Sequence, residues 1–182
     1  MKKLNPNPTN TIILTAPRSG SNLLENTLEA MSLIRIRKTH KCWEVKDNFV
    51  ITIVRDPLET LISWAAMRMH YRDGDVKKDI VTLYCSTYRY LIKNADVILD
   101  YKELVDNPHT VTKNIIDYMG LKTFFNTPRI ERNQDDPNRR YLVSSTSSGY
   151  YEVAKEMLKD RDLSECYRLY EEALSLKTKF VQ

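Results

Sequence analysis

The sequence predicts an α/β fold: a central parallel sheet between two layers of helices, three layers in all, with a helical C-terminus. Three observations predict it. Short apolar runs rich in β-branched residues recur at 11–16 (TIILTA), 48–54 (NFVITIV) and 95–100 (ADVILD). Stretches of helical period separate them, and the junctions bear turn and helix-start residues, as at PRSGSN and at Asp56-Pro57. Strands alternating with helices must be joined by crossovers, and crossovers make a sheet parallel.

Residues 1–10 are a polar, proline-punctuated lead. Residues 11–16 form a buried strand bounded by Pro17, and PRSGSN supplies the turn. Leu23, Leu24, Leu28 and Met31 then recur at helical spacing, which completes a strand-loop-helix opening. Residues 33–38 (LIRIRK) alternate apolar and basic side chains and predict a second strand, and 48–54 a central one. After it, Asp56 is placed to cap a helix that starts at Pro57 and presents Leu58, Leu61, Ile62 and Ala65 to the core. A further helix is expected over 76–93, a strand over 95–100, and a helix from Pro108 to Met119 that stops at Gly120. Residues 122–150 read as an irregular loop or lid containing RNQDDPNRR and SSTSSG, and 151–178 as C-terminal helices. The length of 182 residues suits one domain, with no internal repeat.

Composition narrows the class. With 42% hydrophobic and 29% charged residues the chain is neither disordered nor fibrous, so it can bury a core. A net charge of +4 suits an anionic ligand and is too mild for a nucleic-acid coat. Cys42, Cys85 and Cys166 are far apart along the chain and lack CxxC spacing, so neither a disulfide framework nor a zinc site is expected, and a reducing compartment fits best. The apolar run near the N-terminus is too short for a signal peptide or membrane anchor. The expected location is the cytoplasm, without membrane or nucleic-acid partners.

Three segments bear candidate chemistry. A strand-loop-helix junction such as 11–32 aims backbone N–H groups and a helix dipole at one point, so PRSGSN is a site for phosphate or sulfate. It is not a Walker A loop, having one glycine, Gly20, and Arg18 as the clamping cation. In RDPLETLIS, Arg55 ends a strand and Ser63 lies two helical turns further on. In KTH, residues 38–40, a lysine and an imidazole end the second strand at the same carboxyl edge, where open α/β sheets bind ligands.

Together these segments resemble a family. PRSGSNLL is similar to the loop with which sulfotransferases dependent on 3'-phosphoadenosine-5'-phosphosulfate (PAPS) hold the 5'-phosphosulfate. RDPLETLIS resembles their 3'-phosphate motif, including its Arg-to-Ser spacing, and KTH the segment with the catalytic histidine. DYKELVDNPHTVTKNIIDYMGL resembles the strand exit and proline-started helix that follow, so the likeness covers 11–121 in matching order. It implies a P-loop-like three-layer αβα fold and transfer of a sulfuryl group to a hydroxyl or amine of a small molecule, saccharide or peptide.

Carried over by position, Arg18 would neutralise the phosphosulfate bridge, Ser19, Gly20, Ser21 and Asn22 would cradle the 5'-phosphate, and Arg55 and Ser63 would hold the 3'-phosphate. His40 would be the base, with Lys38 and Arg18 stabilising charge and no metal required. Leu23 stands where many members have an adenine-stacking Trp, and Asn22 where Thr is usual. Arg139, Arg140 and the run 144–149 stand as a substitute lid or a solvated loop. Some relatives use a glutamate on the first helix, so Glu25 and Glu29 rival His40. Tyr71, Trp43 and Tyr84 either line the acceptor pocket or pack. Against the transferase stand a P-loop nucleotide or nucleoside kinase and a non-catalytic nucleotide-binding module.

Overall fold

A computed structural model describes residues 10–32, 36–44, 48–71, 79–123 and 149–180. Its strands are β1 (Thr11–Leu14), β2 (Arg37–Thr39), β3 (Phe49–Val54) and β4 (Val97–Asp100). They form one parallel sheet in the order β2-β1-β3-β4, with Leu14 opposite Thr39, Ile13 opposite Ile51 and Val54 opposite Asp100. The helices are α1 (Ser21–Ser32), α2 (Pro57–Tyr71), α3 (Ile80–Asn94), α4 (Tyr101–Asp106), α5 (Pro108–Tyr118), α6 (Tyr150–Leu158) and α7 (Ser164–Ser175).

Every residue of β1 and β3 is buried, which explains why these strands read as unbroken apolar runs: both faces of the sheet are covered. On one face Ile13, Ile51, Ile53, Val97 and Leu99 pack against Leu24 and Leu28 of α1, Leu104 of α4 and Ile115 and Ile116 of α5. On the other, Ile12, Leu14 and Val50 meet Leu91 of α3, and Val54 and Ile98 join the core of α2, α3, α6 and α7. The α/β class with a parallel sheet between helices thus agrees with the expectation.

The strand order decides where a ligand can sit. From β1 the chain steps outward to β2 through α1, returns past β1 to β3, and proceeds the other way to β4 through α2 and α3. The connections leaving β1 and β3 therefore part to opposite faces and open a crevice at the carboxyl ends of these two neighbours.

Caps account for several boundaries. Asp56 Oδ1 accepts a hydrogen bond from Glu59 N at 2.9 Å, so α2 starts at Pro57 as the sequence predicts. The expected helix over 76–93 instead begins at Ile80, because Asp79 caps it by accepting from Val81 N at 3.1 Å; residues 72–78 lie outside the described ones. The second strand is displaced from 33–38 to Arg37–Thr39, since pairing with β1 runs to Thr39; residues 33–35 are not described. No helix was expected at α4, where Asp100 accepts from Lys102 N at 3.0 Å and so turns the strand directly into a helix. Gly120, at φ +65°, ends α5 as expected, with Leu121 N donating to Ile116 O and Gly120 N to Asp117 O, both 3.0 Å.

The C-terminal segment closes the edge of β4: Thr178 N donates to Ile98 O, and Ile98 N donates to Thr178 Oγ1, each at 3.0 Å. The cysteines are not all distant in space. Cys85 on α3 and Cys166 on α7 are buried free thiols with sulfurs 3.3 Å apart. Among the described residues, no helix is long and apolar enough to cross a membrane.

Candidate functional site

The crevice at the ends of β1 and β3 is built around a tight loop from Thr15 to Gly20. Ser19 N donates to Ala16 O at 3.3 Å, and Arg18 and Gly20 both take positive φ, +70° and +96°. A non-glycine residue at positive φ is uncommon and concentrates at functional sites. At Gly20 a Cβ would lie 2.7 Å from Tyr101 Cδ2 and 2.8 Å from Cε2, so only glycine fits. Leu24 N bonds Gly20 O at 3.2 Å, which makes Ser21, Asn22 and Leu23 the first turn of α1. By geometry the N–H groups of that turn have no acceptor within the helix and point into the crevice. The hydroxyls of Thr15 and Ser19 are fully buried; that of Thr15 lacks a hydrogen-bond partner and that of Ser19 lies against the Tyr88 hydroxyl, so both can donate toward an anion in the loop.

The structure joins the first two motifs directly. Arg18 Nε donates to Ser63 Oγ at 3.0 Å, across 45 residues of sequence. Arg55 Nη1 donates to Arg18 O at 2.9 Å, while its Nε and Nη2 bond Glu59 Oε2 at 3.2 and 3.1 Å. The guanidinium lies over the Tyr101 ring, 4.3 Å from its centroid, so the ring that closes against Gly20 also supports Arg55. Arg18, Ser19, Gly20, Ser21, Arg55 and Ser63 therefore gather at one strand-end crevice.

The third motif adds the neighbouring strand. Lys38 Nζ donates to Asn22 Oδ1 at 2.6 Å and forms a short ion pair with Glu25. Glu25 is therefore part of the cluster, whereas Glu29 points to solvent. A shallow groove of ≈ 420 Å³ lined by Glu25, Ile36, Arg37 and Lys38 opens beside it. His40 Nδ1 lies 2.9 Å from Thr15 O. A carbonyl only accepts, so Nδ1 carries the hydrogen, and the neutral ring keeps its lone pair on Nε2. The His40 side chain reaches solvent at the rim of the crevice; partial desolvation of the charged ring lowers its pKa below 6.5, the Thr15 carbonyl opposes this, and the charges of Lys38 and Arg18 reinforce it.

Other sequence expectations fare differently. Tyr84 does not line a pocket but is fully buried core. Trp43 is 79% exposed on the turn Cys42–Glu44. Arg139, Arg140, the run 144–148 and the Tyr71 side chain lie outside the described residues. Sequence reasoning missed Glu59, Tyr101 and Tyr88. Tyr101 had a signal, since it follows Asp100 at the end of the fourth strand, β4, at the same edge of the sheet. Among the described residues no group of His, Cys, Asp and Glu could hold a metal. No family model matches the chain, and no curated protein matches it either.

Proposed function

We propose that the chain is a sulfotransferase that moves a sulfuryl group from PAPS to a hydroxyl or amine, on a P-loop-like three-layer fold. The observation that bears most weight is the Arg18–Ser63–Arg55 cluster at the crevice between β1 and β3, which unites two separate anion motifs. A ligand with anionic groups at two positions is what two adjoining cationic sites suit, and PAPS has its 5'-phosphosulfate and 3'-phosphate so disposed.

In this reading the loop from Arg18 to Asn22 takes the 5'-phosphosulfate, with Ser19 Oγ, Gly20 and the first turn of α1 as donors, and Arg55 and Ser63 take the 3'-phosphate. His40 Nε2 removes the proton from the acceptor as its oxygen or nitrogen attacks sulfur. The bond from sulfur to the bridging phosphate oxygen breaks in line, and adenosine 3',5'-bisphosphate leaves. Lys38 and Arg18 stabilise the charge that gathers on the bridging oxygen. The lowered pKa favours His40 as the base, because the ring is neutral at neutral pH. Glu25 is engaged by Lys38 and serves to position it.

Thermal unfolding with adenosine 3',5'-bisphosphate tests the reading first. A ligand at a hundred times its dissociation constant adds about 2.7 kcal/mol, or roughly 5–10 °C for a chain of this size. The expected result is stabilisation that EDTA does not diminish and that Arg55→Ala reduces, followed by transfer of ³⁵S from labelled PAPS to an acceptor. Stabilisation by Mg-ATP alone would replace this reading with the kinase. Tight bisphosphate binding without sulfur transfer to any acceptor in a broad panel would leave a nucleotide-binding module.

A further inference from the structure

Two residues of α3 that no motif contains converge on Arg55. Tyr84 and Tyr88 lie one helical turn apart on the inward face, both fully buried, with rings stacked at 4.1 Å between centroids and 20° between planes. Both hydroxyls meet the Arg55 main chain, and that of Tyr88 also reaches the Ser19 hydroxyl. Tyr88 Oη accepts from Arg55 N at 3.0 Å and lies 3.1 Å from Arg55 O, to which it donates; Tyr84 Oη reaches the same carbonyl at 3.3 Å.

The position of Arg55 explains why this matters. The ladder between β3 and β4 ends at Val54, so the Arg55 peptide groups lie just past the last strand pair and have no partner in the sheet. The tyrosines replace the missing strand and fix the direction in which the chain leaves β3. From that fixed backbone the side chain reaches Arg18 O, Glu59 and the Tyr101 ring. Burial pushes the Tyr88 pKa up to about 12 and raises that of Tyr84, so both hydroxyls stay protonated and able to donate.

We propose that Tyr84 and Tyr88 are positioning residues of the nucleotide site: they clamp the Arg55 main chain and so aim its guanidinium at the ligand's phosphate. A stacked tyrosine pair could instead be core filling whose hydroxyls merely find acceptors. Core filling would not concentrate its effect on Arg55, and that difference can be measured. The proposal rests on the reading of the crevice as a site for adenosine 3',5'-bisphosphate.

The test is a double-mutant cycle on the affinity for that bisphosphate, by calorimetry on full-length protein. Tyr88→Phe keeps the ring and removes the clamp, and the dissociation constant should rise about tenfold; in an Arg55→Ala background the same change should alter it less than about twofold. Tyr84→Phe, which removes one longer hydrogen bond, should raise it about two- to fivefold with the same dependence on Arg55, and serves alone if Tyr88→Phe does not fold. Ile116→Val in α5, on the opposite face of the sheet, controls for general loss of stability and should leave the affinity unchanged. An affinity within twofold of wild type for the folded tyrosine variants, with Arg55→Ala still weakening binding, overturns the clamp but leaves the nucleotide site standing. A tyrosine effect that persists in full without Arg55 also overturns it. Failure of the wild-type protein to bind the bisphosphate removes the site and the clamp together.

Discussion

Gly20→Ala is the sharpest probe of how the crevice is built. Two separate costs meet at this position. The backbone at φ +96° is one that L-residues rarely adopt, and placing an alanine there costs about 1–2 kcal/mol. The new methyl would also stand 2.7 Å from Tyr101 Cδ2, well inside van der Waals contact. Tyr101 cannot simply swing away, because its ring carries the Arg55 guanidinium at 4.3 Å. Overpacking of this kind adds about 1–3 kcal/mol. The combined loss is therefore roughly 2–5 kcal/mol, a fall in Tm of about 4–20 °C for this chain length.

Urea and thermal unfolding of four proteins separate the two costs: wild type, Gly20→Ala, Tyr101→Ala and the double variant. In the Tyr101→Ala background the methyl has room, so Gly20→Ala should then cost only its backbone share, and the coupling between the sites should be about 1–3 kcal/mol. A Gly20→Ala protein within about 0.5 kcal/mol of wild type would refute the geometry outright. Full additivity would show that the ring and the loop do not touch, and that Tyr101 supports Arg55 without closing on Gly20.

Two further expectations concern protons and thiols. The His40 pKa lies below 6.5, so the folded protein resists the proton that the unfolded chain accepts. His40 thus contributes stability that is present above pH 6.5 and lost as the pH falls through the folded value, and in the proposed transfer the acid limb of kcat/KM should have its midpoint below pH 6.5. An NMR titration of the His40 ring with a midpoint at or above 6.5 would contradict both. Among the cysteines, Cys42 is half-buried, while Cys85 and Cys166 are buried against each other and burial pushes Cys166 up to about 12. Burial raises the Cys42 thiol too, so one thiol should react with an aromatic disulfide reagent in the folded protein, more slowly than a free cysteine at pH 8, and two only on unfolding; three equal rates would mean that the seam between α3 and α7 is not packed as described.

What was legible in the sequence was whatever a short segment specifies by itself. β1 and β3 read as apolar runs because both their faces are covered, and Asp56-Pro57 located the start of α2 because the cap and the helix share one turn. PRSGSN, RDPLETLIS and KTH could be placed for the same reason: each segment occupies one strand exit. β2 was placed too early because its extent depends on the register with β1, a long-range pairing with no local mark. The supports of the site were hidden for a related reason. Tyr84, Tyr88 and Tyr101 act through contacts that span 29 to 81 residues, as Tyr84 to Arg55 and Tyr101 to Gly20, and an aromatic pair on an amphipathic helix looks like packing until its hydroxyls are located.

The cations of the crevice differ in how firmly the protein already holds them, and this bears on what each would contribute to sulfuryl transfer. Arg55 pairs with Glu59, whose side chain is 58% exposed, and such a rim pair is worth about 0–1 kcal/mol. A phosphate can replace that carboxylate at little cost, so Arg55 suits ground-state binding of the proposed nucleotide. Lys38 pairs with Glu25, which is only 13% exposed, and leaving that carboxylate without its partner is more costly. Lys38 therefore leans toward a ligand only when the charge presented rivals that of Glu25. In the proposed reaction such charge appears on the bridging oxygen as the bond to sulfur breaks, so Lys38 acts in the transition state rather than in binding. Lys38→Gln should accordingly lower kcat at least tenfold while changing the bisphosphate affinity less than about threefold, and Arg55→Ala should show the reverse pattern. Equal losses of affinity in the two variants would place Lys38 among the binding groups and require another source of charge stabilisation.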